Sequence, residues 1–198
     1  MFYRGREGNF LKKDSLPSPC TPSLPSKTFN CQGRSVHDTA ALFSGETAME
    51  IMQVKKEKRE TGLVDGLLAV WESSVRATHD FLKEDDVEYL RPFVEQGLQE
   101  VPLLFYAEEN GAPCAFLGME GDSIEMLFVA AEARGRGIGS ALMRQALALG
   151  ASRVDVNEQN PQALGFYRRF GFEVKSRDAV DSLGLPYPIL HCTLSEKE

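Results

Sequence analysis

A loop rich in glycine and arginine, Arg134-Gly135-Arg136-Gly137-Ile138-Gly139, is the segment of this chain whose residue types most clearly suggest chemistry. It lies between a predicted strand, 124–129, and a predicted helix, 140–149. Glycines allow successive backbone N–H groups to point into one concavity, and the helix start and two arginines add positive charge. The loop therefore predicts an anion site, and a pyrophosphate is the anion that fits it best.

Two familiar phosphate-binding motifs can be compared with this loop. A P-loop needs a Gly-Lys pair, and the chain contains none. A dinucleotide fingerprint is matched in part by Gly135, Gly137 and Gly139, with Asp155 as the acid further along. The glycine spacing differs from that fingerprint, and residues 130–134 separate the strand from the first glycine. On the loop alone, an enzyme that uses a nicotinamide dinucleotide or S-adenosylmethionine stays open.

The composition is that of a globular protein, with 42% apolar and 26% charged residues among 198. The 22 basic residues are outnumbered by 29 acidic ones, and a net charge of −7 gives no general attraction to nucleic acid or anionic lipid. No apolar run approaches the ~20 residues of a membrane helix, and the first residues lack the apolar stretch of a secretory signal. We therefore expect a cytoplasmic protein with no nucleic-acid or membrane partner.

Cysteine and histidine usage gives no sign of a metal centre. The four cysteines lie far apart, at Cys20, Cys31, Cys114 and Cys192. No C-x-x-C pair occurs, and the chain has three histidines. Neither a structural zinc, a disulfide framework nor a His-rich catalytic metal is expected. Cys114 and Cys192 stand in apolar contexts and are expected to act as small core residues.

The chain divides into a tail and one domain. Residues 1–48 carry prolines among serines with no sustained apolar period, which predicts a disordered tail or an over-long start. Residues 49–198 are expected to fold. Their pattern predicts strands at 51–58, 101–107, 113–118, 124–129, 154–156, 172–177 and 189–194, and helices at 61–75, 84–99, 140–149 and 161–170.

Three local signals refine that pattern. Asn110-Gly111 predicts a tight hairpin turn, because both residues tolerate positive φ. Pro92 is expected to bend or interrupt the second helix. The order of elements indicates an α/β fold with a mixed sheet. The edge of the final strand could pair with another chain, so both a monomer and a homodimer are compatible with the sequence.

Two motifs resemble the GNAT superfamily of N-acetyltransferases. Arg134-x-x-Gly137-x-Gly139 matches that family's R/Q-x-x-G-x-G/A acyl-coenzyme A motif, and Asn160-x-x-Ala163-x-x-Phe166-Tyr167-x-x-x-Gly171-Phe172 matches its second motif. The resemblance covers about Met49 to Leu194. It implies the GNAT fold, in which a mixed, mostly antiparallel sheet has splayed central strands flanked by helices. Residues 71–82 and 181–188 are more closely similar to a group of small bacterial acetyltransferases with poorly defined substrates.

The resemblance implies where acetyl-coenzyme A (acetyl-CoA) would bind. Its pantetheine arm would hydrogen-bond backbone groups near Phe128 and Val129, in the gap between the splayed strands. Its pyrophosphate would lie on Arg134, Gly135, Arg136, Gly137, Ile138, Gly139 and Ser140. Asn160 is expected first to cap the following helix and second to contact the cofactor, and Asn157 to order a water or the cofactor. No metal is implied.

The resemblance also suggests catalytic roles. The Tyr167 hydroxyl would stabilise or protonate the departing thiolate of coenzyme A, which suits a phenol of pKa ~10 beside a thiol of pKa ~8.5. A lysine-type amine has a reference pKa of ~10.4 and must lose a proton before it attacks. Glu125, on the strand before the loop, and His79, near the predicted acceptor wall, are the main candidates to take that proton. Weaker candidates are Glu120, Glu158 and His191.

We therefore expect an N-acetyltransferase in which a primary amine attacks bound acetyl-CoA directly, in a ternary complex. The alternative is a binding module of the same fold that senses acyl-CoA without turnover. The acceptor, a small molecule or a peptide, depends on loop shapes near 76–100 and 178–188 that no motif determines.

Overall fold

A computed structural model describes residues 50–195. The strands are β1 (Glu50–Val54), β2 (Leu103–Glu109), β3 (Ala112–Glu120), β4 (Ser123–Val129), β5 (Arg153–Asn157), β6 (Phe172–Asp178) and β7 (Ile189–Leu194). The helices are α1 (Thr61–Thr78), α2 (Glu84–Glu100), α3 (Ile138–Ala148) and α4 (Pro161–Arg169), with 3-10 turns at Lys56–Lys58 and Ala131–Ala133. The tail expected at 1–48, with Cys20 and Cys31, lies outside the described residues.

The strands form one sheet in the order β1-β2-β3-β4-β5-β7-β6. Every neighbouring pair is antiparallel except β4 and β5, which are parallel. The α/β class with a mixed, mostly antiparallel sheet is therefore confirmed. One expectation was wrong: β7 has no free edge, because it pairs with β5 on one side and β6 on the other. The edges of the sheet are β1 and β6.

The parallel pair at the centre of the sheet separates after a short contact. β4 and β5 pair only at Ser123 with Arg153 and at Ile124 with Val154. β4 continues to Val129 and β5 to Asn157, but each continues to pair only with its other neighbour. The splayed central strands that the sequence led us to expect are thus present, and they open a gap on the side of the glycine-rich loop.

Local sequence signals account for most element ends. Asn110 (φ 53°) and Gly111 (φ 81°) turn the chain between β2 and β3, as the hairpin signal predicts. Pro92 does not interrupt α2, which runs as one helix from Glu84 to Glu100. Its buried face, with Leu90, Val94 and Leu98, packs into the core, so tertiary burial outweighs the local cost of proline.

Burial explains how the sheet and helices hold the central strands in place. On β4, Ile124, Met126 and Phe128 are buried and alternate with half-exposed residues, as expected for a strand with two different faces. Trp71 of α1 is fully buried in the same core. Cys114 and Cys192 are buried free thiols, which confirms their predicted place as core residues. Among residues 50–195, no helix is both long and apolar enough to cross a bilayer.

Candidate functional site

A cavity of about 700 Å³ opens where β4 and β5 separate. Its walls come from the end of β4, the glycine-rich loop, the start of α3, the end of β5, α4 and the last turn of α1. They include ten of the residues predicted to bind the cofactor: Phe128, Val129, Arg134, Gly135, Gly137, Ile138, Gly139, Ser140, Asn160 and Tyr167. Asn157, which was expected to order a water or the cofactor, lines the cavity as well. The fold therefore brings the two motifs together around one space.

The glycine-rich loop and the start of α3 line this cavity. Gly135 and Gly137 have φ values of 75° and 85°, a conformation that other residues adopt only with strain. Gly137 is the N-cap of α3 and carries no side chain to occupy the first N–H groups of the helix. An anion at this position would meet free donors and the positive end of the helix dipole.

The two arginines of the loop differ in where their side chains lie. Arg134 lines the cavity and donates a hydrogen bond to Oε1 of Gln162 on α4, at 2.8 Å. Arg136 instead forms a two-point ion pair with Glu109 at 2.7 and 2.5 Å, and it does not line the cavity. Arg134 can therefore add charge to an anion site, whereas the Arg136 side chain holds the loop against the β2–β3 hairpin.

Two asparagines line the cavity with different hydrogen-bonding states. Asn160 caps α4, because its Oδ1 accepts a hydrogen bond from the Ala163 N–H at 2.9 Å, as predicted. Asn157, at the end of β5, is only 2% exposed, and neither its Oδ1 nor its Nδ2 has a protein partner. A buried amide without partners is costly, so Asn157 is a marker for a polar ligand or water at this place.

Tyr167 lies on the buried face of α4 and lines the same cavity. It is 5% exposed, packs against Phe166 and Phe172, and forms no side-chain hydrogen bond within residues 50–195. Burial raises the pKa of its phenol well above the ordinary value, and the nearby Cys192 adds to this effect. The hydroxyl is therefore protonated at neutral pH and able to donate to a group in the cavity.

His79 ends α1 and forms part of the cavity wall. Its Nδ1 lies 2.8 Å from the Thr78 hydroxyl, and its ring contacts Phe81. Burial, and to a lesser degree the charge of Arg134, lower the pKa of His79 to about 3. Its imidazole is consequently neutral at physiological pH and a weak base.

Glu125 lies on β4, directly after the last residue that pairs with β5. Alternation along the strand places it on the same face as Leu127 and Val129, which line the cavity, although Glu125 itself does not. Arg153 lies close enough for the Glu125 carboxylate to favour its charged form. Glu125 is thus at the narrow end of the gap between the strands.

Two arrangements near the cavity were not predicted from the sequence. Tyr187, in the loop before β7, donates a hydrogen bond to Asp86 of α2. His191 of β7 lies between Asp155 of β5 and Asp178 of β6. Both contacts join residues that are distant in the chain, so the local sequence around Tyr187 and His191 does not indicate their partners.

Comparisons with known proteins identify the family. The model of the "Acetyltransferase (GNAT) domain" matches residues 102–174, which run from β2 into β6. A peptidyl-lysine N-acetyltransferase YjaB of Salmonella typhimurium is 39% identical over 142 residues, covering 71% of this chain and 97% of that protein. The peptidyl-lysine N-acetyltransferase YjaB of Escherichia coli is 38% identical over 142 residues, covering 71% of this chain and 95% of that protein.

Solved structures agree with this assignment. The solution structure of apo-form YjaB from Escherichia coli superposes with a TM-score of 0.66 at 36% identity, covering 76% of this chain and all of that one. A GCN5-related N-acetyltransferase from Rhodopseudomonas palustris shares the fold, with a TM-score of 0.56 at 23% identity over 77% of this chain and all of that one. Together with the cavity, the loop and the splayed strands, these likenesses show that the chain belongs to the GNAT family of acetyltransferases.

Proposed function

We propose that this N-acetyltransferase transfers the acetyl group of acetyl-CoA to the side-chain amine of lysine in a peptide or protein, by direct attack in a ternary complex. The observation that carries the proposal is the gap between β4 and β5, which ends at a loop of free N–H groups. The names of the two YjaB relatives, peptidyl-lysine N-acetyltransferases that match over nearly their whole length, support lysine as the acceptor.

The residues of the cavity fit acetyl-CoA. The N–H groups of 137–140 and the guanidinium of Arg134 would hold its pyrophosphate. The unpaired edge of β4 near Phe128 and Val129 would hydrogen-bond its pantetheine arm, much as another strand would. The unpartnered amide of Asn157 supports this placement, because a polar ligand there would satisfy a group that the protein leaves without a partner.

Tyr167 is the proposed proton donor to the leaving thiolate. Tyr167 lines the cavity, and its hydroxyl is protonated and not hydrogen-bonded to another described side chain. The C–S bond of the thioester breaks as the new C–N bond forms, and the sulfur leaves with the electron pair. A phenol at that position can neutralise the developing negative charge, which lowers the barrier to expulsion.

Glu125 is the proposed acceptor of the amine proton, acting directly or through water. It lies at the narrow end of the gap, on the face that carries the cavity-lining residues of β4. His79 is a poorer base, since a group with a pKa of about 3 takes up a proton weakly at neutral pH. We therefore propose that neutral His79 shapes the acceptor side of the cavity and orients the amine or a water there.

The test has a binding arm and a turnover arm. In the binding arm, thermal melting of the full chain is measured with acetyl-CoA, coenzyme A, NAD and S-adenosylmethionine. A ligand at a hundredfold excess over its Kd adds ~2.7 kcal/mol, or roughly 5 to 10 °C, and we expect such a shift only with the two coenzyme A species. A larger shift with NAD or S-adenosylmethionine would contradict the proposed cosubstrate.

In the turnover arm, mass spectrometry follows acetylation of a peptide with a blocked N-terminus and one lysine. The same peptide with norleucine in place of lysine is the control, and a third peptide has a free N-terminus but no lysine. We expect acetylation only of the lysine peptide. Binding of acetyl-CoA without transfer to any amine would favour the sensing module, and transfer to the free N-terminus alone would replace lysine as the acceptor class.

A further inference from the structure

We infer that Asp155 binds the positively charged amine of the acceptor, and that His191, held between Asp155 and Asp178, positions this carboxylate. The inference rests on the proposed function, because it assigns part of the acceptor side of that site. Asp155 lies on β5, His191 directly opposite it on β7, and Asp178 on β6, so three adjacent strands contribute one residue each.

The contacts within this group are specific. His191 Nδ1 lies 2.7 Å from Asp155 Oδ1, and His191 Nε2 lies 3.1 Å from Asp178 Oδ2. Both ring nitrogens are therefore engaged, which prevents the imidazole from rotating. Asp155 is consequently held in one orientation while its second oxygen keeps its capacity to accept hydrogen bonds.

Position in the cavity separates Asp155 from an ordinary surface carboxylate. Asp155 lines the cavity, whereas His191 and Asp178 do not. Asn157, two residues further on the same face of β5, lines it as well, and its buried amide has no protein partner. A carboxylate that lines the cavity beside the amide assigned to the cosubstrate indicates a second ligand there, one with positive charge.

The register of β4 and β5 places Asp155 beside the proposed base. Ser123 pairs with Arg153, so Glu125 and Asp155 are the next residues of their strands on the same face. Arg153 feels the charge of both carboxylates, but its guanidinium is hydrogen-bonded to Asp122. An ammonium group bound at Asp155 would therefore lie near Glu125, which is to remove its proton.

The protonation state of His191 should affect amine binding. Only an imidazolium donates to both carboxylates, because a neutral ring has a single N–H. Burial opposes the charged form, but the hydrogen bonds to Asp155 and Asp178 outweigh it and raise the pKa of His191. The charged groups that face the ring are these two carboxylates, with Arg153 beside Asp155. Loss of the His191 proton at higher pH leaves Asp155 with its full negative charge, and this favours a cationic acceptor.

The first experiment measures steady-state kinetics with two acceptor peptides. One carries lysine and the other carries 4-aminophenylalanine, whose aromatic amine is uncharged at neutral pH. We expect Asp155→Asn to raise the KM for the lysine peptide about fivefold, the effect of losing one partly exposed ion pair, and to leave the KM for the aromatic amine unchanged. Glu173→Gln is the matched control, because Glu173 is paired with Lys175 on β6 outside the cavity.

The second experiment uses a dimethyl-lysine peptide, which keeps its charge and one N–H but cannot form the amide. Its inhibition constant is measured from pH 6 to 9. In the native protein we expect the inhibition constant to fall as pH rises through the pKa of His191. In His191→Gln we expect no such pH dependence. In Asp178→Asn we expect the same fall at a lower pH. The last two variants retain Asp155, so they also test the inference if Asp155→Asn does not fold.

The outcomes separate this inference from the proposed function. Equal effects of Asp155→Asn on both acceptors, or no effect on either, would overturn the role of Asp155. A pH step that persists in His191→Gln would overturn the role of His191. Absence of transfer by the native protein to any amine would instead contradict the proposed function, and acetyl-CoA melting shifts in the variants verify that the cosubstrate site is intact.

Discussion

Tyr187 donates its hydroxyl hydrogen to the carboxylate of Asp86 at 2.6 Å, joining two segments that are 101 positions apart in the chain. This bond connects the loop before β7 to the first turn of α2. The Tyr187 ring also contacts Phe81, which in turn contacts His79 on the cavity wall. The loop after α1 and the loop before β7 thus form one wall beside the cavity.

Removal of the Tyr187 hydroxyl should loosen this wall. Burial, together with the nearby Asp86 carboxylate, raises the pKa of Tyr187 to about 12, so the hydroxyl remains a donor at working pH. For Tyr187→Phe we expect the KM for the acceptor peptide to rise about threefold, with unchanged affinity for acetyl-CoA. A hydrogen bond to a charged group contributes about 1.5 to 3 kcal/mol to the folded wall, and only a fraction of that free energy is passed on to acceptor binding. Tyr89→Phe, on α2, is the control for loss of a phenol. An increase in acetyl-CoA Kd instead would show that the wall supports the cosubstrate side.

Tyr167→Phe should separate binding from turnover. The substitution keeps the ring in its buried place against Phe166 and Phe172 but removes the proton donor. We expect kcat to fall about a hundredfold, in the range of general acid catalysis, while the Kd of acetyl-CoA stays within twofold. Calorimetry and initial rates measure the two quantities, with Tyr106→Phe as the matched control. A native kcat in this variant would remove Tyr167 from the mechanism.

Gly137→Ala should damage the anion site through the backbone. At a φ of 85°, a Cβ strains the conformation by about 1 to 2 kcal/mol, although among residues 50–195 no atom outside the adjoining backbone lies within 4 Å of it. Relief of that strain would turn the N–H groups of the helix start away from the cavity. We expect the Kd of acetyl-CoA to rise at least tenfold. Gly62→Ala, in the open first turn of α1, should leave it unchanged, and equal affinities in both variants would contradict the proposed pyrophosphate site.

Asn157→Leu should weaken acetyl-CoA binding without destabilising the free protein. The native amide is buried without partners, so an apolar side chain of similar volume removes a desolvation cost of about 1 to 3 kcal/mol. We expect the free protein to melt at the same or a higher temperature and the shift produced by acetyl-CoA to shrink. A variant that melts earlier but shifts normally would show that Asn157 serves the fold instead.

The stability of the protein should fall as pH falls below 6.5, in part because of His79. Its pKa is lowered to about 3 in the folded state, so between pH 6.5 and 3 the unfolded chain binds a proton that the native chain does not. His79 contributes at most about 1.4 kcal/mol per pH unit to the pH dependence of the free energy of unfolding. Urea unfolding of the native protein and of His79→Gln at pH 7, 6 and 5 measures this loss of stability.

The result expected is a smaller loss of stability in His79→Gln than in the native protein. His191 contributes with the opposite sign, because its raised pKa gives stability that is present at low pH and lost as pH rises through that pKa. His191→Gln is therefore the matched variant. Parallel pH profiles for the native protein and His79→Gln would contradict burial of a neutral His79.

Local rules predicted most of the elements and most of the residues that line the cavity around the glycine-rich loop. Asn110-Gly111, Asn160 and Pro161 mark a turn, a cap and a helix start through their own local preferences. The two motifs flank β5, and their residues meet because a parallel crossover brings the ends of β4 and β5 to the same edge.

Features that depend on distant pairing were missed. The position of β7 between β5 and β6 follows from strand pairing across the sheet, and nothing within 189–194 distinguishes an interior strand from an edge strand. The pairing of Arg136 with Glu109 joins a loop to a hairpin 27 positions earlier. The contacts of Tyr187 and His191 also join distant segments, so sequence patterns predicted the cavity-lining residues around the glycine-rich loop better than these contacts.

The short contact between β4 and β5 also has a mechanical consequence. Two residue pairs carry the backbone ladder between the half-sheet β1–β4 and the half-sheet β5–β7–β6. A cosubstrate bound between the unpaired parts of β4 and β5 would connect the two half-sheets, and amide hydrogen exchange in β5 would slow while the cosubstrate is bound. Each catalytic cycle would then end with a less rigid protein than the one in which the chemistry took place.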